Sequence, residues 1–180
     1  LARIEEILSS RSTWRATRGT LETAIAGTAI SLVLGGAFAL AVALTDIRHK
    51  ALLVWCFLLP MMIPPQVTAL AWAQLFGPSS ALLNALGIAP AQGAPNPMYS
   101  REGIAALLGV QHAPLVFLAL RAGLRGLPRE MIEAARAAGA GHARILFTVI
   151  LPLMTPALVA GGALSFMAVW TCRPAARALL

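Results

Sequence analysis

The chain has 180 residues, enough for one domain, and 58% of them are hydrophobic while only 12% are charged. Soluble domains carry roughly a quarter charged residues, so this composition excludes an ordinary water-soluble fold and makes the bilayer the solvent to reason about. The net charge of +7 comes almost wholly from arginine, 13 Arg against one Lys, which in a membrane protein suits anionic headgroups and the positive-inside rule rather than nucleic acid.

Cys56 and Cys172 lie far apart and make neither a metal spacing nor a disulfide framework, so both read as free thiols. The sequence opens on Leu1 and carries no signal-peptide pattern at its start, which suggests a fragment of a longer chain. Residues 1–20 mix Ile4, Ile7 and Leu8 with four arginines, the pattern of a short amphipathic or irregular lead-in at a membrane surface. Residues 21–170 then form the membrane domain.

Its first span, Thr23 to Thr45, is 23 residues without a charge, long enough to cross ~30 Å of hydrocarbon. Gly27, Gly35 and Gly36 give it a small-residue face for close helix packing. A polar loop at 46–50 closes it. The second span, 51–76, is interrupted by Pro60, Pro64 and Pro65, each of which removes a helix hydrogen bond. Such breaks survive at membrane depth only where protein or a water-filled cavity covers the freed carbonyls, so these prolines and Gln66 are candidates to line a translocation path. Trp55 and Trp72, roughly 26 Å apart on a straight helix, would mark two interfacial belts.

Gly77 to Arg101 is rich in Pro, Gly, Ser and Asn and reads as an aqueous loop with a short helix near Leu82 to Leu86. The third span, 103–120, carries Gln111, His112 and Pro114. An imidazole at that depth is costly and must face protein or the pathway; a histidine hydrogen-bonded inside the bundle is the plainer reading, a path-lining one the sharper. Together with Gln66 and Gln74, Gln111 and His112 are the polar side chains, hydroxyls aside, deep enough to meet a solute. The fourth span, 153–170, packs through Gly161 and Gly162. Residues 171–180 turn abruptly polar, an atypical tail that suggests truncation or a shifted reading frame after about residue 169.

Between the third and fourth spans, 121–152 is the longest charged stretch. Leu127-Pro128 opens a short helix with Glu130 and Glu133 toward its positive end. Gly139-Ala140-Gly141 breaks it with a turn that favours positive φ, and His142 to Ile150 resumes helical spacing up to Pro152. The order Glu133-Ala134-Ala135, three residues, Gly139, nine residues, Val149-x-Leu151-Pro152 resembles the EAA loop of ABC importer permeases, with Val149 where that family usually has isoleucine. Pro60-Met-Met-Ile-Pro64, Ala69-Leu70-Ala71-Trp72 and Phe76-Gly77-Pro78 are further similar to the permeases serving ferric iron, thiamine, polyamines and phosphonates. The resemblance covers residues 20–169.

It implies an all-α polytopic helical bundle of the type I ABC importer permease kind, an incomplete copy with about four spans where the family usually has six. It also implies that Glu133, Ala134, Ala135, Gly139, Val149, Leu151 and Pro152 dock an ATPase subunit on the cytoplasmic side. The implied partners are ABC ATPase subunits, a second permease subunit or half, a periplasmic substrate-binding protein and the lipid bilayer of a bacterial inner membrane, with no nucleic acid. Seven Lys/Arg fall on each side of a four-span topology, so charge alone sets no orientation, and only the resemblance places the 46–50 and 121–150 loops in the cytoplasm.

No phosphate loop of the G-x-x-x-x-G-K-[ST] type and no metal or triad cluster occurs in the sequence. The chain is therefore read as a transport subunit rather than an enzyme, binding no cofactor or metal itself, with ATP used by its partners. The rival classes are an ATP-independent secondary transporter or channel, and a DNA-binding helix-turn-helix built on Arg125, Arg129, Arg136 and Arg144. The spans hold no Asp, Glu or Lys and a single His, which tells against an ion-coupled carrier, and the flanking apolar spans tell against DNA.

Overall fold

The computed structural model describes residues 11–45, 48–87, 90, 93 and 95–179, without the side chains of 12, 44, 129, 142, 143 and 173–179. Every element among them is helical: α1 (Arg11–Leu44), α2 (Lys50–Met62), α3 (Pro65–Leu75), α4 (Ala81–Ala85), a 3-10 turn (Pro97–Tyr99), α5 (Arg101–Arg125), α6 (Arg129–Ala137), α7 (His142–Ile145), a π-turn (Leu146–Ile150), α8 (Leu151–Leu153) and α9 (Thr155–Leu179). Three helices, α1, α5 and α9, are long and apolar enough to cross a membrane, and the α2–α3 pair makes a fourth crossing if it counts as one span. The all-α, multi-span expectation holds.

The long helices form a bundle with α5 enclosed. Its apolar window is 72% buried, against 22% for α1 and 17% for α9, so α1 and α9 keep broad faces outward while α5 is held between them. The contact between α1 and α5 is made backbone to backbone. A Cβ on Gly35 would stand 2.5 Å from the Ala113 carbonyl, and one on Gly109 would stand 2.7 Å from Ile30. Ser31 Oγ donates to the Gly109 carbonyl at 2.8 Å, completing the crossing. Small residues that let helices touch are the expected glue in lipid, where no hydrophobic drive separates one apolar helix from its solvent. Gly161 does the same for α9, resting on Val116 and Ala119.

Residues 11–20 correct the expected lead-in. They are the opening turns of α1 and continuous with it; residues 1–10 lie outside the described residues. The physical reason is local: Thr17, Thr20 and Thr23 bond back to the carbonyls four residues earlier, and Arg18 pairs with Glu22 at 2.8 Å, so nothing interrupts the ladder. The last helix differs in the same direction, running beyond Trp170 to Leu179. In the loop, a helix at Ala81–Ala85 stands one residue ahead of the expected position, capped by Ser80, and Ser100 caps α5 through the Gly103 amide at 3.0 Å.

The second span is no single axis. Pro60 stays inside α2, but Pro64 caps and Pro65 starts α3, and the two helices meet at 98°. Trp55 and Trp72 are thus on different axes, and the expected pair of belts on one straight span does not form; Trp72 instead rests against Phe76 at 5.8 Å.

The two adjacent glycines of α1 offer a direct check. Gly35→Ala forces the α1 and α5 backbones apart and should cost about 1–3 kcal/mol, a lower midpoint of heat unfolding in detergent. Gly36→Ala should behave as the parent, because its Cβ meets only Leu120 Cδ1 at an ordinary 3.7 Å.

Candidate functional site

The segment from Leu127 to Leu153 is built as a knob under the bundle. Helix α6 ends in a Schellman arrangement: the Gly139 amide donates to Arg136 O at 2.9 Å and the Ala140 amide to Ala135 O at 3.0 Å. That arrangement needs a left-handed residue after the cap, and Gly139 has φ +79 with no heavy atom near its missing Cβ. The expected positive φ is found there. The chain then re-enters helix at α7, passes the π-turn, where Thr148 Oγ1 bonds Arg144 O at 2.6 Å, and reaches α9 through α8, with Pro152 in the opening turn of α8.

The motif residues divide by direction. Ile132 and Ala135, one turn apart on α6, are half-buried against the cluster of Ala39, Val54, Val116, Phe117, Leu120, Ile145, Ile150 and Met154. Val149 packs into the same cluster. Glu133, Ala134, Arg136, Ala137 and Gly139 face outward and are exposed, and Glu133 forms no ion pair among the described residues. Leu151 and Pro152 are exposed too, with Leu151 also lining a small apolar cavity of about 40 Å³ between α1, α5 and α9. Two exposed apolar side chains that the motif does not include, Met131 and Phe147, flank the outward face. Neither carried a sequence signal, because an apolar residue in a short helix reads as core until the face is known.

A ring cluster anchors this end. Phe38 of α1 stacks on Phe57 of α2 at 4.0 Å, and both meet Phe117 of α5 edge-on at 5.3 and 5.5 Å. The knob therefore rests on three helices at once.

At the broken span, the candidates separate. Gln66 is exposed, as are Pro64 and the neighbouring Met61, Met62 and Ile63, while Pro60 and Pro65 are half-buried. Gln111 and His112 lie inside the bundle at 5% and 8% exposure. Gln111 Nε2 donates to the Ile63 carbonyl at 3.3 Å, so the carbonyl exposed by the break is satisfied by protein. His112 Nδ1 stands 2.8 Å from the Leu108 carbonyl of its own helix, the geometry of a histidine satisfied within the bundle. Gln111 Oε1 is buried without a partner among the described residues. Both cysteines are free, and no His/Cys/Asp/Glu group among the described residues could hold a metal.

Residues 31–172 match the family model described as binding-protein-dependent transport system inner membrane component. Among curated proteins, the chain is 30% identical over 157 residues to the molybdenum transport system permease protein ModB of Escherichia coli, covering 85% of this chain and 66% of that one. It is 27% identical over 157 residues to the trehalose/maltose transport system permease protein MalF of Thermococcus litoralis, covering 85% and 53%. It is 29% identical over 174 residues to a putative 2-aminoethylphosphonate transport system permease protein of Salmonella choleraesuis, covering 93% and 59%. The chain thus spans about half to two thirds of the length of these relatives. Their named cargoes differ widely, so the narrower likeness at Pro60–Pro64 distinguishes no subgroup.

The Gln111–Ile63 bond can be tested with Cys56 and Cys172 replaced by serine. Gln111→Leu leaves the Ile63 carbonyl without its donor, should cost about 1–3 kcal/mol, and should raise labelling of cysteines placed at residues 60–68 by a hydrophilic thiol reagent. Gln74→Leu, at an exposed position, should stay within about 0.5 kcal/mol and leave labelling unchanged.

Proposed function

The chain belongs to the family of binding-protein-dependent transport system inner membrane components, and on that premise we propose that it is a membrane-spanning permease subunit of an ATP-driven solute importer. The observation that carries the proposal is the two-faced knob of α6 and α7. Ala135 and Val149 key it into the bundle, while Glu133, Ala134 and Gly139 present a small, charged and rigid surface outward. A partner pressing on that surface moves Ile132 and Ala135 against Phe117 and Leu120 with little slack, because packed interiors yield poorly to strain. The alanines let a partner backbone come close, and Glu133 is available to a cation on it.

In this reading the partners are ABC ATPase subunits, which bind and hydrolyse ATP on the cytoplasmic side, a second permease subunit or half, and a periplasmic substrate-binding protein. The 46–50 and 121–150 loops face the cytoplasm of a bacterial inner membrane. Pro60, Pro64, Pro65 and Gln66 flank the translocation path, with Gln111 holding the bend from inside. The chain itself carries neither ATP site nor catalytic group. An ATP-independent carrier is less well supported, since it would leave the outward face of α6 without a role.

Two substitutions test the docking role. Glu133→Lys and Gly139→Asp should leave the protein inserted in the membrane, abolish uptake and weaken retention of the ATPase. At Gly139 the left-handed backbone alone should cost about 1–2 kcal/mol with any side chain. Uptake at the parental rate in both variants, at equal membrane abundance, would exclude this segment as the ATPase dock.

A further inference from the structure

Basic residues gather at both ends of the bundle, but they are met differently. At the end where α1 and α5 begin, Glu22 accepts from Arg18 at 2.8 Å and from Arg101 at 3.1 Å. At the other end, Lys50, Arg121 and Arg125 line a cleft of about 450 Å³ between α1, α2, α5 and α6, and no acidic side chain among the described residues lines it. Arg121 and Arg125 are one helical turn apart on α5, and neither forms an ion pair with a described residue. Arg121 is held in place by the Phe117 ring, its guanidinium carbon 5.8 Å from the ring centre. The wall below the cations is apolar, with Val42, Leu124 and Leu127 among its residues.

We infer that this cleft binds the phosphate-bearing headgroup of an anionic phospholipid, with the first carbons of an acyl chain along the α1–α5 wall. Guanidinium groups present paired N–H donors that match phosphate oxygens, and an anion relieves the repulsion among three clustered cations. The apolar wall selects lipid over free phosphate. An inorganic anion would leave Val42, Leu124 and Leu127 against water, whereas the lipid covers them with the chain attached to its headgroup. The cleft lies at the ends of α1 and α5, the depth at which headgroups sit, and Ile132 of α6 lines its edge. A bound lipid therefore touches both the bundle and the outward-facing knob. This inference is independent of whether the knob meets an ATPase.

The test uses the full-length permease in nanodiscs of equimolar phosphatidylcholine and phosphatidylglycerol, moved into neutral detergent and weighed by native mass spectrometry. The parent should retain phosphatidylglycerol in preference to phosphatidylcholine. Arg121→Gln with Arg125→Gln should lower that retention about thirty-fold, as expected for two cations near a headgroup. Arg121→Lys with Arg125→Lys should keep most of it, and Arg18→Gln with Arg101→Gln all of it. If the double glutamine variant fails to fold, Arg125→Gln alone, at an exposed side chain, should give about a fivefold drop. Unchanged retention in folded glutamine variants, or equal retention of both lipids by the parent, would overturn the inference. So would displacement of the lipid by excess inorganic phosphate, which would make this a free-anion site. Loss of the lipid from the parent once the ATPase is bound would assign the cleft to that partner and overturn it as well.

Discussion

At Gly35 the backbone of α1 lies so close to the Ala113 carbonyl of α5 that no side chain fits between them, and the remaining architecture follows from that contact. Helices in a bilayer gain no hydrophobic burial by associating, so their register must come from shape and from hydrogen bonds such as Ser31 to the Gly109 carbonyl. With α1 and α9 fixed on its flanks, α5 is enclosed along most of its length. That enclosure is what lets Gln111 and His112 reside at membrane depth, and Gln111 in turn supplies the donor for the bend between α2 and α3. The bend, which looks like an independent feature of a proline-rich segment, is thus positioned from inside by a helix far away in sequence.

The same register sets where the knob sits. Phe117 and Leu120 follow Ala113 along α5 and form the floor against which Ile132, Ala135 and Val149 pack. The stacked pair Phe38 and Phe57 brings α1 and α2 to that floor, so four parts of the chain share one cluster. A segment seated on such a cluster has few ways to move independently of the helices above it. This is the property that a coupling element requires, and it comes from side-chain packing rather than from the charged residues that make the segment conspicuous.

Much of this was legible in the chain. Charge-free runs located the three long helices, Gly27 and Gly35 marked the packing face, and two glycines around an alanine announced the turn at Gly139. What could not be read was direction. Sequence spacing assigned Glu133, Ala134 and Ala135 to a single surface, yet the helix turns Ala135 inward and its two neighbours outward. Gln111 was read as a path-lining group because amides are rare at that depth, but its partner is a backbone carbonyl, and backbone groups leave no trace in side-chain identity. The lead-in expected over residues 1–20 failed for another reason. Four arginines suggested an interface, and the composition gave no weight to the back-bonded threonines and the Arg18–Glu22 pair that carry α1 through that region.

The π-turn at Leu146–Ile150 has a consequence for the length of the chain. A π-turn accommodates one residue more than an α-helical turn, and one residue in an α-helix is about 100° of rotation. The knob and α9 are therefore held in a phase that five residues in this wider winding define. Deleting one of them would allow ordinary winding to resume, but would rotate all of α9 relative to the knob. Ser165 and Val169, now buried against the bundle, would swing toward lipid, while Leu164 or Trp170 would turn inward. The extra residue acts as a phase spacer, so chain length here is constrained even where side-chain identity is not.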